Sequence, residues 1–182
     1  MHFDLDPVPP AEFGRVREAA LIVREALLEL GIQSVAKTSG SRGIHIYVPI
    51  RRGPLQKEVW RFAKSLAQDI TARHPDILTA EYRIKRRPPG RILVDYNQNA
   101  WGRTLASVYS VRPRPRATVS TPVTWDEIAR GIEPEDFRID NVRERFGRLG
   151  DLWKPLLSAR GRCRLEDYLP AKKNHRFSKD RS

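Results

Sequence analysis

The stretch Phe3-Asp4-Leu5-Asp6-Pro7, FDLDP, decides how the rest of this chain is read. With His2 in front it has the length of a short strand, and Pro7 stops it by fixing φ and removing a backbone donor. Residues two apart on a strand project from one face. Asp4 and Asp6 therefore point together while Leu5 points the other way. Each carboxylate raises the cost of ionising the other. A divalent cation relieves that cost, and hard oxygen ligands suit Mg²⁺ or Mn²⁺. The D-x-D pattern taken alone also occurs at solvated strand ends, so it needs company.

Outward from this strand, apolar residues fall at Phe13, Val16, Ala20, Val23, Leu27 and Leu30 between Ala11 and Leu30. That spacing predicts an amphipathic helix, with Gly31 as its stop. Strands follow around Ser34–Lys37 and Ile44–Val48, then a second helix from Leu55 to Ala72 with Val59, Phe62, Leu66 and Ile70 on one face. After the basic stretch RIKRRPPGR, the run ILV reads as a buried strand ending in Asp95. Strand, helix, strand, strand, helix, strand is the split βαβ order. The fold class is therefore α+β, an RRM-like or ferredoxin-like antiparallel sheet with two helices on one face. The open face of such a sheet is a platform for nucleotides or nucleic acid.

Beyond Tyr96 the signals weaken. RPRPRATVSTP is rich in Pro and Arg and cannot be continuous helix, whereas TWDE, from Thr124 to Glu127, is a capping box opening a short one. The division expected is a core over residues 1–152 and a basic, loosely ordered tail over 153–182.

The 182 residues suit one domain. Lys and Arg outnumber Asp and Glu by 34 to 22, a net charge of +12 that favours a polyanionic partner, nucleic acid first. A single cysteine, Cys163, excludes an intrachain disulfide. No apolar run approaches a membrane span and no signal-peptide pattern opens the chain, so a soluble cytoplasmic protein is expected.

A third carboxylate strengthens the metal reading. Asp95 ends the fourth strand of the proposed sheet, which pairs with the first, so it approaches Asp4 and Asp6 from next door. Three carboxylates at one edge suit a two-metal site, with ions about 4 Å apart serving the attacking hydroxyl and the leaving pyrophosphate. The loop KTSGSRGIH complements it. Ser39, Gly40, Ser41 and Gly43 let backbone amides and hydroxyls approach phosphate oxygens, Arg42 adds charge, and His45 begins the next strand facing the same phosphates. Tyr96, Asn97, Gln98 and Asn99 form a polar cluster directly after Asp95, as a site lining would. His2, His74 and His175 have no motif context.

The stretches FDLDP, KTSGSRGIHIYVPI, ILVDYNQNAWGRT and YSVRPRPRATVSTPVTWDEI, in that order, resemble the polymerase domain of bacterial DNA ligase D, a member of the archaeo-eukaryotic primase superfamily. The resemblance runs from about Phe3 to about Leu152. It implies a primase-polymerase catalytic core: a nucleotidyltransferase of non-homologous end joining, dependent on two Mn²⁺ or Mg²⁺ ions, that adds ribo- or deoxynucleotides at broken DNA ends. Its implied partners are DNA ends, nucleoside triphosphates, and a separate ligase or end-binding protein; its implied location is the bacterial nucleoid. Asp4, Asp6 and Asp95 match the family's metal-binding acids, and Ser39 and His45 its serine-to-histidine motif at the triphosphate. Gln98 and Arg112 match positions near the nucleotide. Arg42 stands where the family commonly has lysine, which keeps charge but alters hydrogen-bond geometry. In the family a further region precedes the FDLDP strand, with aromatic and basic residues for the incoming base and the DNA 5′-phosphate, whereas Phe3 here follows two residues after the start. Weaker nucleotide binding is the expected consequence. The reading left beside catalysis is a non-catalytic nucleic-acid-binding module or half of a split enzyme.

Overall fold

The strand that carries the paired aspartates lies inside the sheet. β1 (His2–Pro7) runs antiparallel to β3 (Ile44–Tyr47) on one side and to β5 (Ile92–Asp95) on the other. β2 (Val35–Thr38) pairs antiparallel with β3. These four strands form the split βαβ sheet that the sequence order predicts. Two short strands extend it: β4 (Leu78–Thr79), parallel to β5, and β6 (Pro122–Val123), antiparallel to β2. The result is a six-stranded mixed sheet in the order β4-β5-β1-β3-β2-β6. Two-residue strands carry no periodicity, which is why the sequence does not announce them. This computed structural model describes residues 1–158 and 160–169.

Phe3 and Leu5 of β1, Ile44 and Ile46 of β3, and Ile92 and Val94 of β5 are fully buried on one face of the sheet. α1 (Phe13–Glu29) covers that face with Val16, Ala19, Ala20, Val23, Ala26 and Leu27. α2 (Gln56–Arg73) adds Ala63, Leu66, Ala67 and Ile70. Small residues at Ala19, Ala20, Ala63 and Ala67 let both helices lie close to the strands. Gly31, at φ +69°, ends α1: its N–H bonds the Leu28 carbonyl at 2.8 Å and the Ile32 N–H bonds the Leu27 carbonyl at 2.9 Å. That is a Schellman stop, which needs a left-handed residue at Gly31.

The Pro/Arg-rich segment is a hairpin. The Tyr109 N–H bonds the Ser120 carbonyl, the Ser120 N–H bonds the Ser110 carbonyl and the Arg112 N–H bonds the Thr118 carbonyl, so RPRPR forms the tip. α3 (Trp125–Arg130) opens at the expected capping box. Thr124 Oγ1 accepts from the Glu127 N–H at 3.1 Å, and Glu127 Oε2 accepts from the Thr124 N–H at 2.8 Å. The same carboxylate receives Arg145 of α4 (Val142–Leu149) through both guanidinium nitrogens, one at 2.7 Å, while Arg145 lies over the Phe137 ring.

Trp153 is buried and packs edge-on against Tyr47, 4.8 Å between ring centroids. A short helix, α5 (Lys154–Leu157), follows. Cys163 then bridges to Ile50, and Leu165 is fully buried. Residues 170–182, the end of the expected basic tail, lie outside the described residues. Among the described residues no helix is long and apolar enough to cross a membrane.

Burial raises the pKa of Glu127, but hydrogen bonds from Arg145 and Thr124 outweigh it and hold the carboxyl below its ordinary value. An acid depressed on folding gives stability that is present above its unfolded pKa and lost as pH falls through the folded one. Glu127→Gln keeps the capping geometry and removes the charge. It should cost about 1–2 kcal/mol at pH 7 in urea melts. The gap between variant and parent should close as the pH is lowered through the acid range below 4.5.

Candidate active site

Strand register builds the site. Directly paired residues share a face and place their Cβ atoms about 4.5–5.5 Å apart. Asp4 pairs with Asp95 on β5 and with His45 on β3, and His45 pairs with Lys37 on β2. Asp95, Asp4, His45 and Lys37 thus form one row across the face away from the helices. Asp6, two residues from Asp4, begins the next row toward Pro7.

The row is buried: Asp4 and Asp95 are each 8% exposed, His45 is 3% and Lys37 is 0%. Burial, then Asp6 and Asp95, push the Asp4 carboxyl up to about 8. Burial and Asp95 likewise raise Asp6, with Arg42 and Arg87 pulling the other way. His45 Nε2 lies 3.3 Å from Asp4 Oδ1. This is not an ion pair at neutral pH, because burial and the charges of Lys37, His2 and Arg112 push the imidazole far down.

The loop after β2 folds around Ser39. Its Oγ accepts the backbone N–H of Ser41 at 3.1 Å and of Gly43 at 3.0 Å, and its own N–H bonds the Gly43 carbonyl. A Cβ on Gly43 would meet the Leu5 carbonyl oxygen at 2.5 Å, so only glycine lets the loop lie against β1. A Cβ on Gly40, at φ +68°, would meet Arg112 Cγ at 2.6 Å and the Ser120 nitrogen at 2.8 Å. Gly40 is therefore what admits Arg112 to the loop.

A ladder of buried hydroxyls joins that loop to the hairpin. Thr118 Oγ1 donates to the Gly40 carbonyl at 2.6 Å, and Ser120 Oγ donates to the Thr38 carbonyl at 2.9 Å. The Thr121 N–H donates to Thr38 Oγ1 at 3.1 Å. Lys37 Nζ donates to Ser120 Oγ at 2.6 Å. Burial brings the Lys37 ammonium down to about 7, Asp4 opposing and Arg112 reinforcing.

Seven of the eight residues matched to metal or nucleotide positions in the sequence, Asp4, Asp6, Ser39, Arg42, His45, Gln98 and Arg112, line one cavity of ≈240 Å³ with Ser41, Thr104, Leu105 and Ala106. Asp95 sits beside it, paired with Asp4, and accepts from the Asn97 N–H at 2.7 Å and Gln98 Nε2 at 3.3 Å. The polar cluster after Asp95 divides. Gln98 reaches the cavity, but Asn99 stands in for a backbone partner of His2, giving Nδ2 to its carbonyl at 2.7 Å and taking its N–H at 3.0 Å. Asn97 Oδ1 takes the Trp60 indole N–H at 3.1 Å. Lys37, Ser120 and Thr104 lay inside the quoted stretches without being singled out, and Leu105 and Ala106 lay between them. For Lys37 the signal that could have found it is alternation along β2, which puts it on the face of His45.

Among the described residues no three carboxylates, imidazoles or thiolates converge on one point as a closed cage. The aspartates are neighbours through register. Their chemistry nevertheless fits a hard divalent ion: all donors are carboxylate oxygens, and Asp4 Oδ1 is buried without a hydrogen-bond partner.

A family model described as LigD, primase-polymerase domain, matches residues 1–153. The multifunctional non-homologous end joining protein LigD of Mycolicibacterium smegmatis is 35% identical over 156 residues, 85% of this chain and 20% of its own length. The bifunctional LigD of Bacillus subtilis is 34% identical over 148 residues, 81% of this chain and 24% of its own. The chain thus spans about a fifth to a quarter of the curated relatives it matches. The solved polymerase domain from Mycobacterium tuberculosis Ligase D in complex with DNA superposes with TM-score 0.79 at 32% identity, covering 86% of this chain and 54% of that one.

Two glycines separate backbone strain from close approach. A Cβ on Gly31, at φ +69°, would meet nothing within 4 Å, whereas one on Gly40 would meet three atoms inside 3 Å. Gly31→Ala should cost about 1–2 kcal/mol, the left-handed penalty alone. Gly40→Ala should cost roughly 2–5 kcal/mol, since displacement of the Arg112 stem and hairpin backbone adds to it. Equal losses in paired denaturant melts would show that the loop and hairpin are not in contact.

Proposed function

This chain belongs to the LigD primase-polymerase domain family, and from that premise we propose that it is a divalent-metal-dependent nucleotidyltransferase that adds nucleotides at DNA ends in non-homologous end joining. The observation that carries this reading is the juxtaposition, in one cavity, of an acidic side from β1 with a basic, hydroxyl-bearing side from the 39–42 loop and Arg112. An acid cluster alone would serve any cation, and a basic loop alone any anion. A metal-loaded triphosphate needs both.

Asp4, Asp6 and Asp95 would hold the ions. Bound there, divalent ions supply Lewis acidity for the attacking 3′-hydroxyl and counter-charge for the departing pyrophosphate. The chain's own groups do the positioning. Ser39 Oγ already accepts two backbone N–H bonds, so its hydroxyl hydrogen is what it offers a phosphate oxygen. Arg42 is exposed at the cavity edge and Arg112 is half-buried against Gly40, and both present guanidinium donors suited to phosphate. Neutral His45 donates from one ring nitrogen without adding charge beside the acids. Gln98 braces Asp95 through its amide. The new bond would form between the 3′-oxygen, whose proton passes to solvent, and the α-phosphorus as the bond from that phosphorus to pyrophosphate breaks.

Asp6→Asn should abolish Mn²⁺ binding at this site in a direct titration and end nucleotide addition to a DNA primer, without lowering the unfolding midpoint. Removing a carboxylate whose ionisation is opposed by burial and by Asp95 relieves the metal-free protein. An unchanged titration would sink the metal assignment.

Arg112→Ala should fold with a stability within about 0.5 kcal/mol of the parent. In calorimetry with Mn²⁺ present it should bind nucleoside triphosphate at least about tenfold more weakly, one charge-assisted bond being worth ~1.5–3 kcal/mol. Discrimination among the four bases should be unaltered, because the contact is to phosphate. Equal affinities would remove Arg112 from the pocket.

A further inference from the structure

The 104–106 wall of the cavity belongs to a segment whose outer end carries Trp101. Its side chain is 90% exposed, the most exposed of the large apolar residues described. Gly102, at φ +73°, turns the chain immediately after it. Among the described residues Trp101 makes no hydrogen bond and no ring contact. Arg103 then reaches across to Tyr82, its NH2 group donating to the phenol oxygen at 3.3 Å. Tyr82 is itself 47% exposed, and Ile84 beyond it 78%.

The segment around Tyr82 is basic. Arg83, Lys85 and Arg86 are exposed. Arg87 is tied inward, giving Nε to the Glu81 carbonyl and NH2 to the Tyr82 carbonyl, each at 3.1 Å, and its charge reaches Asp6. The one acid in the stretch, Glu81, accepts the Arg83 backbone N–H at 2.8 Å. Arg87 thus links this basic segment to Asp6, and the Arg103–Tyr82 hydrogen bond links it to the segment that carries Trp101.

A bare indole on a cationic rim matches a polyanion that carries flat apolar faces. A duplex presents its phosphates but keeps its bases stacked on one another, and a protein partner seldom matches so many basic residues with so few acids. Single-stranded DNA offers both features at once. We propose that Trp101, with Tyr82 and Arg103, is a stacking platform for an unpaired base of a single-stranded DNA overhang, holding that strand at the edge of the acidic cavity.

The proposal rests on the reading of this chain as one that works on DNA ends, but its test needs neither catalysis nor metal. Two labelled DNAs would be titrated by fluorescence anisotropy without metal or triphosphate: a blunt duplex, and the same duplex with a short single-stranded overhang containing 2-aminopurine. Trp101→Ala should weaken overhang binding roughly 5- to 100-fold, the loss expected of one base-stacking partner. It should leave blunt-duplex binding and the salt dependence on the overhang unchanged, since no charge is removed. Trp101→Phe should recover most of the affinity. Arg103→Gln should instead lower the log–log salt slope on the overhang by about 0.7. Quenching of 2-aminopurine on binding should be present in the parent and absent in Trp101→Ala. Overhang affinity equal to the parent in Trp101→Ala, or an equal loss on both DNAs, would overturn the platform. Either result leaves the Mn²⁺ titration and primer assay to judge the catalytic reading separately.

Discussion

The register between β1 and its two neighbours is the constraint on which everything else in this molecule depends. It sets Asp4 against Asp95 and against His45 while burying Phe3 and Leu5 completely on the other face. Because the side-chain period of a strand is two, a slip of one residue would send both aspartates into the helix-covered core. An unpaired buried carboxylate costs far more than a lost apolar contact, so no other register competes. The core thus holds the acids together against their mutual repulsion. The charges that temper this concentration are Arg42 and Arg87 near Asp6, and Lys37 of β2 and Arg112 of the hairpin near Asp4.

The second constraint is the hydroxyl ladder between the strand-and-loop segment 37–40 and residues 118–121. Buried hydroxyls contribute only when satisfied. Here Thr38, Thr118, Ser120 and Thr121 all have partners, and Lys37 depends on one of them. The ladder fixes the hairpin stem, and the stem fixes where Arg112 stands. A residue more than sixty positions from the Ser39 loop is thereby brought against Gly40. A phosphate-binding role for Arg112 would be inherited from this ladder, which anchors the first residue of the RPRPR tip.

The helices and central strands were legible in the sequence because burying one face imposes a period, and the periods at Val16–Leu27 and at Asp4/Asp6 are clean. The strand order followed from element order, and with it the approach of Asp95 to Asp4. What escaped had no period to show. β4 and β6 are two residues long and owe their place to neighbours. Lys37 is a residue type that sequence reading sends to solvent, yet it is wholly buried because Ser120 receives it. Asn97 and Asn99 looked like site lining, and their side chains instead complete backbone and indole bonds. Trp101 lay inside the quoted stretch ILVDYNQNAWGRT without a role of its own, since single exposed aromatics acquire meaning only from what surrounds them in space.

The open face of the sheet is itself divided, and the division bears on electrostatics. At one end His2 stacks on Tyr47, whose ring also meets His45 and, in a T-shaped contact, Trp153. At the other, Asp6 opens into the cavity. Between them the row from Asp95 to Lys37 sits under cover, and burial shifts Lys37 down to about 7 and Asp4 up to about 8, as it shifts His2 beside the row down to about 4. A row so buried screens charge weakly, so interactions with an incoming ion are stronger there than at an exposed surface. The polar groups are also fixed before anything binds, by strand register on the acidic side and by the hydroxyl ladder on the basic side. Their reorganisation cost falls on folding, where the apolar core offsets it, and not on the step that moves charge.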